Sequence, residues 1–229
     1  MSERFAPEVI VEIKSRTIKV PKEIENCTGI LVMGKLIKSL LYSTDVSIIA
    51  NHNADAIIAV YPFTPQLYIN DAILDVASVP VFVGVGGGAT RGLRSANIAL
   101  QAELHGAYGV VVNAPMDNEN IQLIRSRVDI PIVATIISKY DDYHGKIKAG
   151  AKILNISGGA ETADLVKLIR KDYPEFPIIA TGGPTKQSII DTIEAGANAI
   201  TYTPPSQAEI FGEVMEKYRE AKDEQQIKE

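Results

Sequence analysis

The chain after residue 28 repeats one pattern eight times, in which a short apolar run ends at Gly, Pro or polar residues and a segment with helical spacing follows. Short β-branched runs bounded by such breakers are typical of strands buried on both faces. The eight runs are GILVMG (29–34), AIIAVYP (56–62), VFVGVGG (81–87), GVVVNAP (109–115), PIVATII (131–137), KILNISG (152–158), PIIATGG (177–183) and AITYTP (199–204). Alternating strands and helices form right-handed parallel units, so eight of them predict an α/β protein with a (β/α)8 TIM barrel rather than an open flavodoxin-like sheet.

The composition agrees with a parallel barrel. Aromatic residues make up 6% of the 229 residues and there is no Trp, so the core must consist mainly of Ile, Val, Leu and Ala. Residues 8–20 alternate apolar and polar side chains, which predicts an N-terminal strand extension that plugs the barrel floor or reaches a neighbouring subunit. We expect a single domain, 1–229, with an N-terminal extension (1–28), the barrel (29–215) and a charged C-terminal helix end (216–229).

Charge and cysteine usage narrow the partners. The net charge is -5 and no Lys/Arg-rich block occurs, which argues against nucleic acid as a partner. Cys27 is the only cysteine, so no disulfide can form within one chain. The N-terminus has no long apolar segment, so we expect no signal peptide, no membrane partner and a cytoplasmic location. The open edges of the N-terminal strands favour a homo-oligomer.

The barrel sorts the polar residues into two faces, because chemistry lies at the carboxyl ends of the strands and the opposite face serves stability. His52 and His105 precede strands and are predicted to be structural, whereas His144 follows the fifth strand on the active face. The other active-face candidates are Lys35, Tyr61, Arg91, Arg94, Asn113, Asp117, Thr135, Lys139, Asp141, Asp142, Asn155, Ser157, Glu161, Thr181, Tyr202, Thr203 and Ser206.

Two glycine-rich corners predict anion binding at this face. Barrels frequently bind phosphate with the loops after strands seven and eight, which points to Gly182, Gly183, Thr203 and Ser206. The turn GVGGGATRG (84–92) predicts a second backbone nest, formed by Gly86, Gly87, Gly88 and Arg91. Lys35, Arg91, Arg94 and Lys139 would make the mouth basic, so the expected partner is a small anionic metabolite.

Metal and cofactor motifs are missing from the sequence. There is no H-x-H, no H-E-x-x-H and no carboxylate within any of the eight runs, so we expect no metal and no cofactor.

From the fourth strand onward, the stretch AKILNISGGAETADLVKLIRKDYPEFPIIATGGPTKQS resembles the 2-keto-3-deoxy-6-phosphogluconate aldolase family of phosphate-binding, aldolase-type TIM barrels. The resemblance implies that Lys152 is a Schiff-base lysine and that Gly182 and Gly183 form the phosphate loop. The sequence departs from that family at the strand-two glutamate, where only Tyr61 is available, at the strand-one arginine, where Lys35 stands, and at the strand-eight glycines, where TPPS stands. Side chains alternate along a strand, so Lys152 faces the helices if Asn155 faces the axis.

The first functional hypothesis is therefore a lyase that performs class I aldol cleavage of a small phosphorylated or carboxylated sugar-like metabolite. Its catalytic candidates are Lys152, Lys139, Lys35, Tyr61 and Asn155. The alternatives are a metal-independent isomerase or epimerase using Lys139, His144 or Asp141, a hydrolase, and a non-catalytic metabolite-binding or regulatory barrel.

Overall fold

The computed structural model describes residues 17–227, with side chains through residue 223. The described chain begins with a 3-10 helix (Lys22–Asn26) and an antiparallel hairpin of β1 (Ile30–Val32) and β2 (Lys35–Ile37). Most of the predicted N-terminal strand extension lies outside these residues. Within them, Ile18 forms one isolated parallel bridge with His52.

Eight parallel strands close into a barrel, which confirms the predicted fold. Each strand is paired with its neighbours in the order β10-β3-β4-β5-β6-β7-β8-β9. The strands are β3 (Ser39–Tyr42), β4 (Ala56–Ala59), β5 (Val81–Gly86), β6 (Gly109–Val112), β7 (Ile132–Ile136), β8 (Ile153–Ile156), β9 (Ile178–Thr181) and β10 (Ala199–Tyr202).

A helix follows each barrel strand. These are α1 (Val46–Ile49), α2 (Leu67–Val76), α3 (Gly92–Leu104), α4 (Asn118–Arg125), α5 (Tyr143–Ala149), α6 (Thr162–Asp172), α7 (Lys186–Glu194) and α8 (Gln207–Ile227). Short polar side chains fix several of the helix starts, because Asp45, Asp117 and Asp142 each accept a hydrogen bond from a backbone N–H of the first turn. The predicted boundary at residue 216 falls inside α8.

The first predicted barrel strand is wrong. Residues 29–34 form β1 and a tight turn, in which Met33 and Gly34 both have positive φ, and the first barrel strand is Ser39–Tyr42. Two positive φ angles in a row produce the turn that joins antiparallel strands, so the run folds back on itself. Ile30 and Val32 are buried, whereas Leu31 between them is 71% exposed. The barrel floor is thus covered by this hairpin, and Lys35 lies there, away from the mouth.

The barrel strands carry an apolar layer on each face, one inside the barrel and one beneath the helices. The inner layer fills the barrel interior and receives at least one side chain from every barrel strand. These strand residues are Leu40, Ala56, Phe82, Val111, Val133, Ile153, Ile179 and Ala199. The hairpin adds Ile30, Val32 and Ile37 to the same layer. The outer layer packs the opposite strand faces against the helices. Because side chains alternate along a strand, the residue two positions beyond each inner-layer residue points into the barrel near its mouth.

Candidate ligand-binding site at the barrel mouth

A cavity of about 670 Å³ opens at the carboxyl ends of the barrel strands. This volume is in the usual range for small-molecule sites. We call it the mouth cavity. Its polar lining consists of hydroxyl and amide side chains, among them Tyr42, Tyr61, Asn113, Thr135, Asn155, Ser157, Thr181, Thr201 and Thr203. Among the described residues that line it, none is Lys, Arg, His, Asp or Glu.

The strand register explains why these polar groups converge. Thr135, Asn155, Thr181 and Thr201 each lie two residues beyond an inner-layer residue, on the four consecutive strands β7 to β10. Four neighbouring strands therefore contribute polar side chains near the mouth of the barrel. Asn155, predicted to lie on the active face, is one of them.

Two atoms of these four side chains have no hydrogen-bond partner. The Asn155 amide nitrogen donates to Thr135 Oγ1 over 3.4 Å. Within the described part of the chain, Asn155 Oδ1 and Thr201 Oγ1 are buried and receive no partner. Buried polar groups are nearly always paired, so these two atoms require an explanation.

Tyr61 supplies a phenol to the same cavity. Its Oη accepts a hydrogen bond from the Gln66 N–H at 2.8 Å and lies 3.4 Å from Asn70 Oδ1. Burial raises the pKa of Tyr61 above its usual value. The phenol therefore stays protonated at neutral pH, and its O–H donates to Asn70 Oδ1, so a ligand would have to replace that contact to receive the hydrogen bond or proton.

The glycine-rich turn lines the cavity but does not form the predicted anion nest. Gly86, Gly87 and Gly88 all border the cavity. The Gly87 N–H donates to the Thr90 carbonyl at 3.0 Å and the Gly88 N–H to the Pro115 carbonyl at 2.9 Å, so these amides are already used. Arg91 Nε donates to the Gly88 carbonyl at 2.6 Å, and the guanidinium braces the turn from outside the cavity.

None of the three lysines predicted to be catalytic lines the mouth cavity. Lys152 precedes β8 at the floor, where its side chain is exposed, and Ile153 takes the inward position beside it. Lys35 is exposed on the floor hairpin. Lys139 is exposed in the loop after β7, with its ammonium 5.3 Å from the centre of the Tyr140 ring.

The carboxylates near the mouth serve local structure. Asp117 and Asp142 cap α4 and α5, and Asp141 accepts hydrogen bonds from the Ile137 and Ser138 amides at 2.7 and 3.2 Å. The Gly145 N–H, followed by the Asn118 amide, holds the pKa of Asp142 below its usual value. Within the described part of the chain, no carboxylate lines the mouth cavity, where a general base would have to stand.

The remaining titratable candidates also lie outside the cavity. His144 bridges α5 and α6, with Nδ1 3.0 Å from Tyr173 Oη and Nε2 3.4 Å from Asp172. Arg94 is exposed on α3. His105 pairs with Asp71 on the floor side, as the barrel rule predicts.

A second depression adjoins the mouth cavity beside the start of α7. This cleft, of about 1100 Å³, is lined by Lys19, Lys22, Lys186, Gly183 and Thr185, and by the carboxylates Glu23, Glu209 and Glu213. We call it the α7 cleft. Thr181, Thr201 and Thr203 line both depressions, so the two lie side by side.

The predicted phosphate residues divide between this cleft and structural roles. Gly183 and Thr203 line the cleft. Gly182 packs tightly, because a Cβ at that position would lie 2.8 Å from the side chains of Ile189 and Ile200. Ser206 and Glu209 form the predicted capping box, with the Ser206 N–H donating to Glu209 Oε2 at 2.7 Å.

The sequence analysis missed Thr201 and Lys146. Thr201 lies two positions after the inner-layer residue Ala199, so the alternation of side chains along the strand would have predicted that it points into the barrel. Lys146 is buried between α5 and the loop after β6, where its Nζ donates to the Met116 carbonyl at 2.6 Å. Burial lowers the pKa of Lys146. The sequence around Lys146 contains no pattern that predicts its burial.

Residues 17–227 show neither a metal-binding cluster nor a helix fit to span a membrane. This range contains no cluster of three or more His, Cys, Asp or Glu side chains able to hold a metal ion. No helix in the same range combines the length and apolar character needed to cross a membrane.

Comparison with known proteins gives structural relatives only. No family model matches the chain, and no curated protein sequence matches it, so the resemblance to the 2-keto-3-deoxy-6-phosphogluconate aldolase family is not shown. A phosphonopyruvate hydrolase structure matches with a TM-score of 0.60 and 15% identity over 88% of this chain and 85% of the other. A second structure of a phosphonopyruvate hydrolase, in complex with oxalate and Mg²⁺, matches with a TM-score of 0.57 and 15% identity over 81% and 82%.

A third match is the 4-hydroxy-tetrahydrodipicolinate synthase of Methylacidiphilum fumariolicum SolV, with a TM-score of 0.59 and 15% identity over 74% of this chain and 68% of that one. Among the described residues that line the mouth cavity there is no carboxylate, the side chain by which Mg²⁺ in proteins is usually held. The chain thus shares its fold, the (β/α)8 TIM barrel, with these proteins.

Proposed function

We propose that the protein binds a small, oxygen-rich metabolite that carries a phosphate or carboxylate group. The observation that supports this most directly is that the mouth cavity and the α7 cleft adjoin and share Thr181, Thr201 and Thr203 in their linings. The uncharged part of such a ligand fits the hydroxyl-lined mouth cavity. Its anionic group fits the α7 cleft at the N-terminus of α7, where helix amides favour anions. Three lysines line the cleft beside three glutamates, so the helix N-terminus and Lys186 on its first turn are the groups expected to hold the anion.

Lys186 is the cation of this cleft that lies at the first position of α7. Its Nζ is 3.5 Å from Glu23 and its side chain is 81% exposed, so the ion pair contributes little to stability. Replacing it removes a positive charge from the proposed anion site without disturbing the fold. The floor residue Lys152 offers a matched control, since it is also an exposed lysine but lies on the opposite face.

We expect Lys186→Gln to weaken binding of D-ribose 5-phosphate by about three- to tenfold, corresponding to the loss of one partly screened charge contact. Lys152→Gln should leave the same affinity unchanged. Isothermal titration calorimetry at low salt, with free D-ribose as the uncharged comparison, measures both effects. Equal losses in the two variants, or no binding of D-ribose 5-phosphate to the wild-type protein, would argue against the proposed anion site.

A lyase-type activity is the second candidate function. The related folds include phosphonopyruvate hydrolase and 4-hydroxy-tetrahydrodipicolinate synthase, and Tyr61 provides a protonated phenol inside the cavity. In such a reaction Tyr61 would donate a proton to an oxygen or carbon that develops negative charge as a bond breaks. Tyr61→Phe would then abolish turnover while ligand binding persisted.

The imine hypothesis for Lys152 remains testable by borohydride reduction in the presence of pyruvate. A Schiff base requires an amine that contacts the substrate. Because Lys152 is exposed at the floor, we expect intact mass and peptide mapping to show no stoichiometric adduct there. A single adduct at Lys152 would instead restore class I aldol cleavage as the leading mechanism.

A further inference from the structure

The mouth cavity is lined by two buried polar groups that lack hydrogen-bond partners among the described residues. Asn155 is 9% exposed and Thr201 is 6% exposed, and both point into the cavity. Asn155 Oδ1 and Thr201 Oγ1 lack partners within the described residues. Leaving such atoms unpaired is costly, and ligand sites are a recurrent reason for tolerating that cost.

The chemistry of the two groups restricts what can pair with them. The Asn155 amide nitrogen is directed to Thr135, which leaves the carbonyl oxygen as an acceptor that needs an O–H or N–H donor. The Thr201 hydroxyl can donate or accept. A ligand hydroxyl satisfies both groups, because it donates through its hydrogen and accepts through its oxygen. It would also satisfy Asn155 if the amide were turned around.

Charged groups are disfavoured at the same place. An anion there would face the Asn155 carbonyl oxygen with no Lys, Arg or His in the cavity lining to neutralise it. A cation would find no Asp or Glu in that lining. Burying either charge unpaired is far more costly than burying a neutral hydroxyl. A keto or ether oxygen only accepts, so it leaves Asn155 Oδ1 unpaired.

We infer that the mouth cavity selects a hydroxylated ligand, whose hydroxyl groups lie against Asn155 and Thr201 while its anionic group points toward the α7 cleft. This rests on the proposed function and narrows it to polyol-type or sugar-type phosphates and hydroxy acids. Carboxylates and phosphates without hydroxyl groups should bind poorly, because a site built to hydrogen-bond a hydroxyl discriminates strongly against analogues that lack it.

The first test uses the free protein and needs no ligand. Thr201→Val removes the unpaired hydroxyl while nearly preserving shape, so the melting temperature should rise by about 2 to 4 °C. Thr192→Val is the matched control, since Thr192 is also buried at 3% exposure but its Oγ1 donates to the Ser188 carbonyl at 2.7 Å. That control should lower the melting temperature. A comparable loss in Thr201→Val would show that its hydroxyl serves the fold and would overturn the inference.

The second test compares matched probes by isothermal titration calorimetry. Glycerol 3-phosphate and 1-propyl phosphate share the anion and differ in two hydroxyl groups, and D-glycerate and propionate form the corresponding carboxylate pair. The wild-type protein should prefer the hydroxylated member of a pair by at least about tenfold. Thr201→Val and Asn155→Leu should each reduce that preference several-fold without weakening binding of the hydroxyl-free member.

The outcomes distinguish failure of the hydroxyl selection from failure of the proposed anion binding. Equal affinity for both members of each pair overturns the hydroxyl selection and leaves the anion-binding function intact. Binding of neither pair overturns the proposed function and the selection together. A preference that persists unchanged in Thr201→Val and Asn155→Leu places the selecting groups elsewhere in the cavity and also overturns the inference.

Discussion

Arg170→Ala is expected to lower the free energy of unfolding by about 3 kcal/mol, because it removes a hydrogen-bonded guanidinium and leaves its acceptors without partners. Arg170 Nε donates to the Gly196 carbonyl at 2.8 Å, and Nη1 donates to the Phe176 carbonyl at 2.6 Å and to the Tyr173 and Pro174 carbonyls. Nη2 donates to Asn198 Oδ1. One side chain thus joins the end of α6 to the chain segments that enter β9 and β10.

Asn198 extends this network across the floor. Its Oδ1 also accepts the Ile178 N–H at 2.9 Å, and its Nδ2 donates to Thr28 Oγ1 at 2.9 Å. Arg170→Lys should recover little of the loss, because an ammonium cannot reproduce the planar fork that reaches all these acceptors. Ligand affinity should remain unchanged, since the network lies at the floor.

Arg219→Ala supplies the comparison, because Arg219 is an exposed residue of α8 with a single ion pair to Glu216. Its replacement should change stability by less than about 0.5 kcal/mol. Urea unfolding followed by circular dichroism measures both variants. If the two substitutions cost the same, the floor network does not stabilise the barrel in the way its geometry indicates.

The fold was predictable because the local residue pattern of most repeats is sufficient to identify a buried strand followed by a helix. Runs such as VFVGVG and PIVATI are apolar on both faces, and only a strand covered on both sides buries all of that surface. The first strand was misassigned for an equally physical reason. GILVMG has the composition of a buried strand, but the Met33–Gly34 turn returns the chain, and only the tertiary pairing of Ile37 and Ile30 distinguishes hairpin from barrel.

Side-chain orientation at the site could be predicted from the alternation along each strand. Which backbone amides are free to bind a ligand could not, because that depends on their hydrogen-bond partners in the folded chain. Asn155 and Lys152 have opposite orientations because they differ by an odd number of positions along one strand. By contrast, nothing in GVGGGATRG shows that the Gly87 and Gly88 amides are taken by the Thr90 and Pro115 carbonyls. Those acceptors come from chain positions that only the folded backbone brings near.

Gly87→Ala should be the substitution at the mouth with the largest effect. Gly87 has φ +140°, and an added Cβ would lie 2.6 Å from the Asn113 carbonyl oxygen and 2.7 Å from the Asn113 Cβ. The nearest obstacle is backbone, which cannot rotate aside. Because the Asn113 N–H is also bonded to the Gly86 carbonyl at 2.9 Å, relief of the clash must separate β5 from β6 at the mouth. We expect a loss of about 2 to 4 kcal/mol in unfolding free energy.

Gly88→Ala isolates steric overlap from backbone strain. Gly88 has φ +59° with no atom within 4 Å of an added Cβ, so the cost should be limited to about 1 kcal/mol of left-handed strain. Thermal unfolding separates the two variants, and calorimetry with D-ribose 5-phosphate reports on the cavity. Gly87→Ala should also weaken that binding, because Asn113 lines the mouth cavity, whereas Gly88→Ala should retain it. Equal stabilities of the two variants would mean that the turn accommodates the Gly87 methyl group without displacing Asn113. In that case the contact between β5 and β6 at Gly87 would not determine the shape of the mouth cavity.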